Sequence, residues 1–336
     1  MLDIVQTIKR NANTLTKLLP LLSFIIPFLA LYSLYPDSFE MTWKGRTYHL
    51  FFLWLFALET ILIWKEFQTE KCKLKSIRTI AFIMALLLPT IYVIDANYFG
   101  LNTMIADLAG QHNVPLANWM PLSIEYLVFA VLFALIILLE YGIDGLVDFS
   151  ISVFFLGIIG AIYIIDNVYP EGRFTPFQIF VPTTATLAAN ILNCIGYQTR
   201  FLAPIKGMPR LEAWKTWPSS VTFDIAWPCS GVESLLLYTV TILLFLKKTI
   251  IPWRQRIVYF VIGAIVTYFI NVLRIVTIFA IAINGGDWWN FHNYYGQLYS
   301  ITWIISYPLI IIGSRTLWEK IRSWKTSTKD ASDHLR

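Results

Sequence analysis

The segment FQIFVPTTATLAANILNCIG, residues 177–196, decides how the chain is arranged. Its length suits a bilayer crossing, which takes about 20 mostly apolar residues. It also carries Thr183, Thr184, Thr186, Asn190 and Asn193, polar groups that are costly when they face lipid. The chain around it has 336 residues, is 57% hydrophobic and 16% aromatic, and is only 14% charged. Soluble domains carry about a quarter charged residues, so this composition reads as a polytopic membrane protein. Other apolar runs, at roughly 18–35, 48–64, 79–95, 119–139, 149–169, 231–246, 256–283 and 297–314, are the clear candidate spans. The first of them lacks a small-residue cleavage site and reads as a retained span.

Basic residues settle the status of 177–196. Lys9, Arg10 and Lys17 precede the first span, and Lys65, Lys71, Lys73, Lys75 and Arg78 lie between the second and third. Lys247, Lys248, Arg254 and Arg256 separate the sixth from the seventh, and Arg315, Lys320, Arg322, Lys325, Lys329 and Arg336 follow the last. The positive-inside rule places all four clusters in the cytoplasm. That requires an even number of crossings between neighbouring clusters. Eight spans satisfy it, and a ninth at 177–196 breaks it. The expected fold is therefore an all-α membrane protein of about eight transmembrane helices, with an external helix and loop before Cys229 that has room for short strands. Its expected divisions are N-terminal helices (1–169), the external helix and loop (170–228), a transmembrane core (229–318) and a cytoplasmic tail (319–336). The net charge of +5 is scattered between apolar runs, so it reflects orientation in a cell membrane and gives no nucleic-acid patch.

The sequence WPCSGVES, Trp227–Ser234, opens the sixth span at the non-cytoplasmic face. Cys72, Cys194 and Cys229 are too few and too widely spaced for a disulfide framework, and no Cys/His spacing suits a metal. No cofactor is expected. A free cysteine is commonly an inert packing residue. Cys229, however, is flanked by Pro228 and Gly231, and Ser230 is placed to cap the helix that follows. The unpaired amides of a first helical turn favour a thiolate. Arg274 stands in YFINVLRIVTIFAIAI, apolar on both sides, where a charge costs several kcal/mol, roughly 2.5–3.5 on insertion scales. It reads either as an ion pair with Glu233, Asp95 or Glu125 or as a cation facing a thiolate and an oxyanion. Asn271, three residues earlier, shares its helix face, and Glu233 stands four residues after Cys229. His292, in WWNFHNYYGQLYS, is either part of an interfacial aromatic belt or a general acid/base. His49 and His112 fall on the same side.

Together these residues resemble the exosortase/archaeosortase family of membrane cysteine transpeptidases. The matching elements are Cys229-Ser230-Gly231 opening a span, Asn271-x-x-Arg274-Ile275 in the next, and His292-x-x-x-Gly296 before the last. They cover roughly 180–315. The resemblance implies Cys229 as nucleophile, with Arg274 and His292 completing the catalytic set and Ser230, Gly231, Glu233, Asn271 and Gly296 supporting it. It implies protein substrates bearing a C-terminal sorting signal, made of a short motif, one transmembrane helix and a basic tail. It implies, further, that the substrate is held as a thioester and passed to a lipid-linked acceptor. Many relatives have a basic or amide residue where this chain has Glu233. The loop 197–228 has room for short strands that bind an extended peptide by main-chain pairing. Two other readings use the same residues: a transporter with Arg274 at its substrate site, and a lipid-handling transferase built on His292.

Overall fold

The computed structural model describes residues 2–63, 77–171, 173–216, 219–296 and 298–333. Cys72, Lys65, Lys71, Lys73, Lys75, His334 and Arg336 lie outside the described residues. The apolar runs become helices. In chain order these are α1 (Leu2–Leu34), α2 (Pro36–Glu40), α3 (Thr47–Ile63), α4 (Ile77–Tyr98), α5 (Leu101–Gln111), α6 (Met120–Asp148) and α7 (Ser150–Val168). After them come α8 (Thr175–Gln178), α9 (Val181–Cys194), α10 (Val232–Lys248), α11 (Trp253–Ile283), α12 (Trp288–Asn290) and α13 (Leu298–Asp333). Among the described residues five helical stretches are long and apolar enough to cross a membrane: Ile77–Tyr98, Ala117–Asp148, Ser150–Val168, Trp253–Ile283 and Trp288–Trp318. Three shorter apolar helices, Leu18–Leu34, Thr47–Ile61 and Val232–Leu246, occupy the remaining expected positions. α5 is an additional short helix at the end of α4 that the apolar pattern does not signal.

α9 explains the ambiguous segment. Val181, Thr184, Ala185, Ala188 and Leu192 are buried, whereas Thr183, Thr186, Asn190 and Asn193 are exposed. That is the helical period of a one-sided helix. The threonines and asparagines are tolerable because most of them sit on the open face. The buried one, Thr184, is fully bonded: its Oγ1 donates to the Ser230 carbonyl at 3.0 Å and lies 2.8 Å from the Tyr268 hydroxyl.

The loop before the cysteine forms a small antiparallel sheet, β1 (Gln198–Ile205), β2 (Met208–Trp214) and β3 (Ser220–Asp224), in the order β1-β2-β3. Lys206 and Gly207 join β1 to β2 with φ of 50° and 79°, the two positive values of a tight hairpin turn whose twist suits the strands. One face, with Leu211 and Ala213, is buried over α9 and α11, and Phe223 of β3 meets Phe279 of α11 at 5.0 Å between ring centroids. The other face carries the ion pairs Arg200–Glu212 (2.6 Å) and Arg210–Asp224 (2.8 Å).

A dry polar network ties the N-terminal helices to this end of the bundle. Arg46, in the loop between α2 and α3, grips both Glu125 oxygens at 2.8 Å, and His49 Nε2 meets the same carboxylate at 2.8 Å. His49 is fully buried and stacked on Phe28, so its ring is committed to packing. A buried carboxylate is tolerable only when paired and hydrogen-bonded in this way. In the same loop Lys44 pairs with Asp166 at 2.7 Å and bonds Asn167 at 2.8 Å. Thr42 bonds the Asn293 carbonyl through both its backbone N–H and its hydroxyl. Residues 41–46 therefore reach across the bundle to the turn that carries His292.

Candidate active site

Cys229 lies in the 3-10 turn Trp227–Ser230, between β3 and α10. Trp227 is completely buried, with its ring 5.1 Å from that of Phe177, and it pins the turn to the protein. Two helices then fix the cysteine backbone. Asn271 of α11 donates its Nδ2 to the Cys229 carbonyl at 2.9 Å, while Thr184 of α9 holds the next carbonyl. Asn271 and Arg274 are both buried on one face of α11, as their spacing predicts.

Two local expectations are corrected. Cys229 is not the first residue of a helix, because Gly231, at φ 91° and ψ 0°, stands between its turn and α10. That left-handed conformation suits glycine, and a Cβ there would come within 3.0 Å of Asn271 Nδ2. Ser230 does not cap α10 either: its hydroxyl turns back to the Trp227 carbonyl at 2.7 Å. The electrostatics follow. Burial pushes the Cys229 thiol above its ordinary value, and the Arg274 guanidinium opposes this only in part, with Asp166 and Glu233 adding to the upward push. The surroundings therefore favour the neutral thiol, opposite to the direction expected from a helix N-terminus.

Cys229, Arg274 and His292 come from three separate segments and line the same two cavities. The larger, about 640 Å³, carries charged groups, with Lys44, Asp166, Glu171, Arg173, Lys206 and Asp224 on its wall. The smaller, about 240 Å³, is an apolar slot bounded by Phe223, Ile275, Ile278, Phe279 and Trp288. The cysteine, guanidinium and imidazole form the boundary between them. Another cavity, about 390 Å³, lies at the far ends of α3, α10 and α13, and neither a cysteine nor a histidine lines it.

Arg274 is 4% exposed, and among the described residues no carboxylate pairs with it. Glu125 is taken by Arg46, and Glu233 accepts from the Tyr48 hydroxyl at 3.1 Å. The contact of Arg274 at this end is His292: Nη2 stands 3.4 Å from Nδ1. Arginine can only donate, so Nδ1 is the acceptor and the neutral ring carries its proton on Nε2. His292 is held by a π-helical turn, Phe291–Tyr295, which closes with the Gly296 N–H on the Phe291 carbonyl at 2.8 Å. Such single π turns often re-aim side chains at functional sites. Gly296 packs directly on Arg274, so a Cβ there would stand 2.6 Å from Nε. Nε itself has no hydrogen-bond partner among the described residues.

The sequence profile of transmembrane exosortases matches residues 43–308. The chain belongs to the transmembrane exosortase family. No curated protein and no solved structure matches it. Membership supports a membrane-embedded sorting transpeptidase in general and lends nothing to a transporter. The matched region begins at Trp43, so it takes in the loop that supplies Lys44 as well as the three motif segments.

The remaining candidates fall elsewhere. His112 caps α5 in the open, and Cys194 ends α9 exposed. Neither lines the cavities. Sequence reasoning missed Trp43, Lys44 and Asp166, which share the larger cavity with Cys229. A usable signal existed: Lys44 and Arg46 lie close together in one short loop, and Asp166 and Glu125 are lone carboxylates in apolar runs.

Proposed function

We propose that this exosortase is a cysteine transpeptidase acting at the non-cytoplasmic face of the cell membrane, with Cys229 as nucleophile and Arg274 and His292 as its catalytic partners. The observation that carries this reading is a buried guanidinium that no carboxylate among the described residues pairs with, lining the same cavities as a thiol and an imidazole. An uncompensated buried cation is costly, and it suits a site where negative charge arises only during reaction. The orientation rests on the basic clusters of the sequence, which the positive-inside rule assigns to the cytoplasm.

In this mechanism Sγ attacks the carbonyl carbon of the scissile peptide bond, and the carbonyl electron pair moves onto oxygen. As the guanidinium turns toward that oxyanion, it releases Nδ1 of His292 to accept the thiol proton. The tetrahedral intermediate collapses, the C–N bond breaks, and His292 returns the proton to the leaving nitrogen. The acyl half stays on Cys229 as a thioester. An acceptor nucleophile, carried by a membrane lipid, then loses its proton to His292 and attacks the thioester, and the expelled Cys229 thiolate takes that proton back. Substrates are exported proteins with a C-terminal short motif, one transmembrane helix and a basic tail. The test is co-production with such a protein encoded in the same genome. Its shortening only in the presence of this chain is the expected result, and an unchanged substrate contradicts it.

Two smaller expectations follow. Because only the thiolate is nucleophilic, Cys229 alkylation by iodoacetamide rises with pH, with a midpoint above that of a free thiol, near 8.5. Replacing Arg274 by Met moves that midpoint higher still, since the guanidinium is the group that favours the thiolate. A midpoint below that of a free thiol is the contrary result. Gly296→Ala displaces Arg274 without touching the cysteine turn. Substrate cleavage should fall by roughly 10- to 100-fold, the order of cost for a catalytic group misplaced by about 1 Å. Full activity in that variant contradicts the assigned role of Arg274.

A further inference from the structure

β3 is an edge strand: it pairs with β2 on one side and, among the described residues, with no strand on the other. Its register shows which groups face the open side. The Ile225 N–H bonds the Pro209 carbonyl at 2.9 Å, so that pair occupies a hydrogen-bonded position of the ladder, although proline has no N–H to return. Bonded and non-bonded pairs alternate along an antiparallel ladder. Phe223↔Leu211 and Val221↔Ala213 are therefore bonded pairs, and Asp224↔Arg210 and Thr222↔Glu212 are the non-bonded ones. The N–H and C=O groups of Thr222 and Asp224 consequently point away from β2, toward the open edge. Among the described residues no backbone bond from outside the sheet reaches either residue. Both side chains are exposed, which leaves the edge uncovered.

The edge leads straight to the thiol. Asp224 lines both cavities and Ala226, still extended at φ −87° and ψ 164°, lines the larger. The turn with Cys229 follows at once. On the other side of the strand Phe223 forms a wall of the apolar slot. We propose that the open edge of β3, through the main-chain groups of Thr222 and Asp224, binds the substrate as an added antiparallel or parallel strand and delivers its scissile carbonyl to Cys229. This rests on the transpeptidase reading above. The occupant is an extended peptide, because the edge offers main-chain donors and acceptors at strand spacing and ends at the candidate nucleophile. Pairing of this kind gives affinity through the backbone and leaves selectivity to the pockets beside it.

The test uses Thr222→Pro in the full-length chain in membranes. Proline there removes an outward N–H and blocks the edge, yet breaks no β2–β3 bond, because the position belongs to a non-bonded pair. Two probes label Cys229: iodoacetamide, which needs no docking, and an acetyl-tetra-alanine chloromethyl ketone, which does. The expected result is a loss of about tenfold in the rate of peptidyl labelling, the effect of one or two hydrogen bonds, with iodoacetamide labelling unchanged. Phe201→Pro makes the same kind of change at the far edge, on β1. Phe201 pairs with Leu211, whose bonding groups face β3, so its own N–H also points outward. That variant should label with both probes as the unmodified chain does. Equal peptidyl labelling in Thr222→Pro, or an equal loss in Phe201→Pro, overturns the docking edge while leaving the chemistry at Cys229 standing. Failure of the unmodified chain to label with either probe counts against Cys229 as nucleophile instead.

Discussion

Cys229→Ala should eliminate substrate cleavage, by at least about 10⁴-fold, while the chain inserts in the membrane at its normal level. The size of the effect comes from the absence of any substitute nucleophile in position. Ser230 turns its hydroxyl back onto the Trp227 carbonyl, and Cys194 is exposed at the end of α9, away from both cavities. The fold should tolerate the change because the turn is held through its backbone. Asn271 bonds the carbonyl of residue 229, Thr184 bonds the next, and Trp227 supplies the buried anchor. None of these contacts uses the sulfur. Cleavage assays and membrane abundance measured on the same preparations separate loss of chemistry from loss of protein. A Cys229→Ala variant that still cuts assigns the reaction to some other group.

Arg274→Lys should be nearly as damaging, with kcat falling by about 10²- to 10³-fold and KM changing little. Lysine keeps the charge but loses the planar fork. Its single ammonium cannot hold the imidazole at Nδ1 and then pass to an oxyanion in the way a guanidinium can. The packing is also specific: Gly296 has no side chain precisely where the guanidinium passes, 2.6 Å from where a Cβ would stand. A mainly structural arginine would give a different pattern, with protein lost from the membrane and kcat preserved in what remains. Near-normal kcat in Arg274→Lys would show that the fork is dispensable.

The parts of this arrangement that follow from short-range pattern were legible in the sequence. The apolar runs marked the long helices, and the polar residues in 177–196 set that segment apart from them. Asn271 and Arg274 stood out because a charge and an amide in an apolar helix demand an explanation, and their spacing put them on one face. His292 and Gly296 were legible as part of one segment, although the π turn that presents the ring was not. What escaped notice depends on contacts between distant residues. Lys44 meets Asp166 across 122 positions of chain, and Arg46 meets Glu125 across 79. Neither pairing has a local signature. The cysteine turn was misread for a different reason. A Ser-Gly pair before an apolar run looks like a helix cap, but Gly231 takes a left-handed conformation and Ser230 bonds backward. The thiol was accordingly expected to ionise easily. Burial dominates once the turn is packed beneath Trp227 and beside α9 and α11, and Arg274 offsets it only in part.

These details change the expected chemistry. In the proposed mechanism the buried thiol reacts slowly at rest and is activated when a substrate carbonyl draws the guanidinium away from His292. The boundary position of Cys229 between a cavity walled by charged groups and an apolar slot fits a peptide that passes from an aqueous segment into a membrane helix, with the scissile bond at the join.

The most direct measurement is peptide-mapping mass spectrometry of the enzyme quenched in acid during turnover of a tailed substrate protein. The expected spectrum shows the substrate's acyl fragment on the peptide that contains Cys229, released by hydroxylamine and absent from Cys229→Ala. An acyl group found on another residue, or turnover with no hydroxylamine-sensitive adduct at all, contradicts a thioester at Cys229.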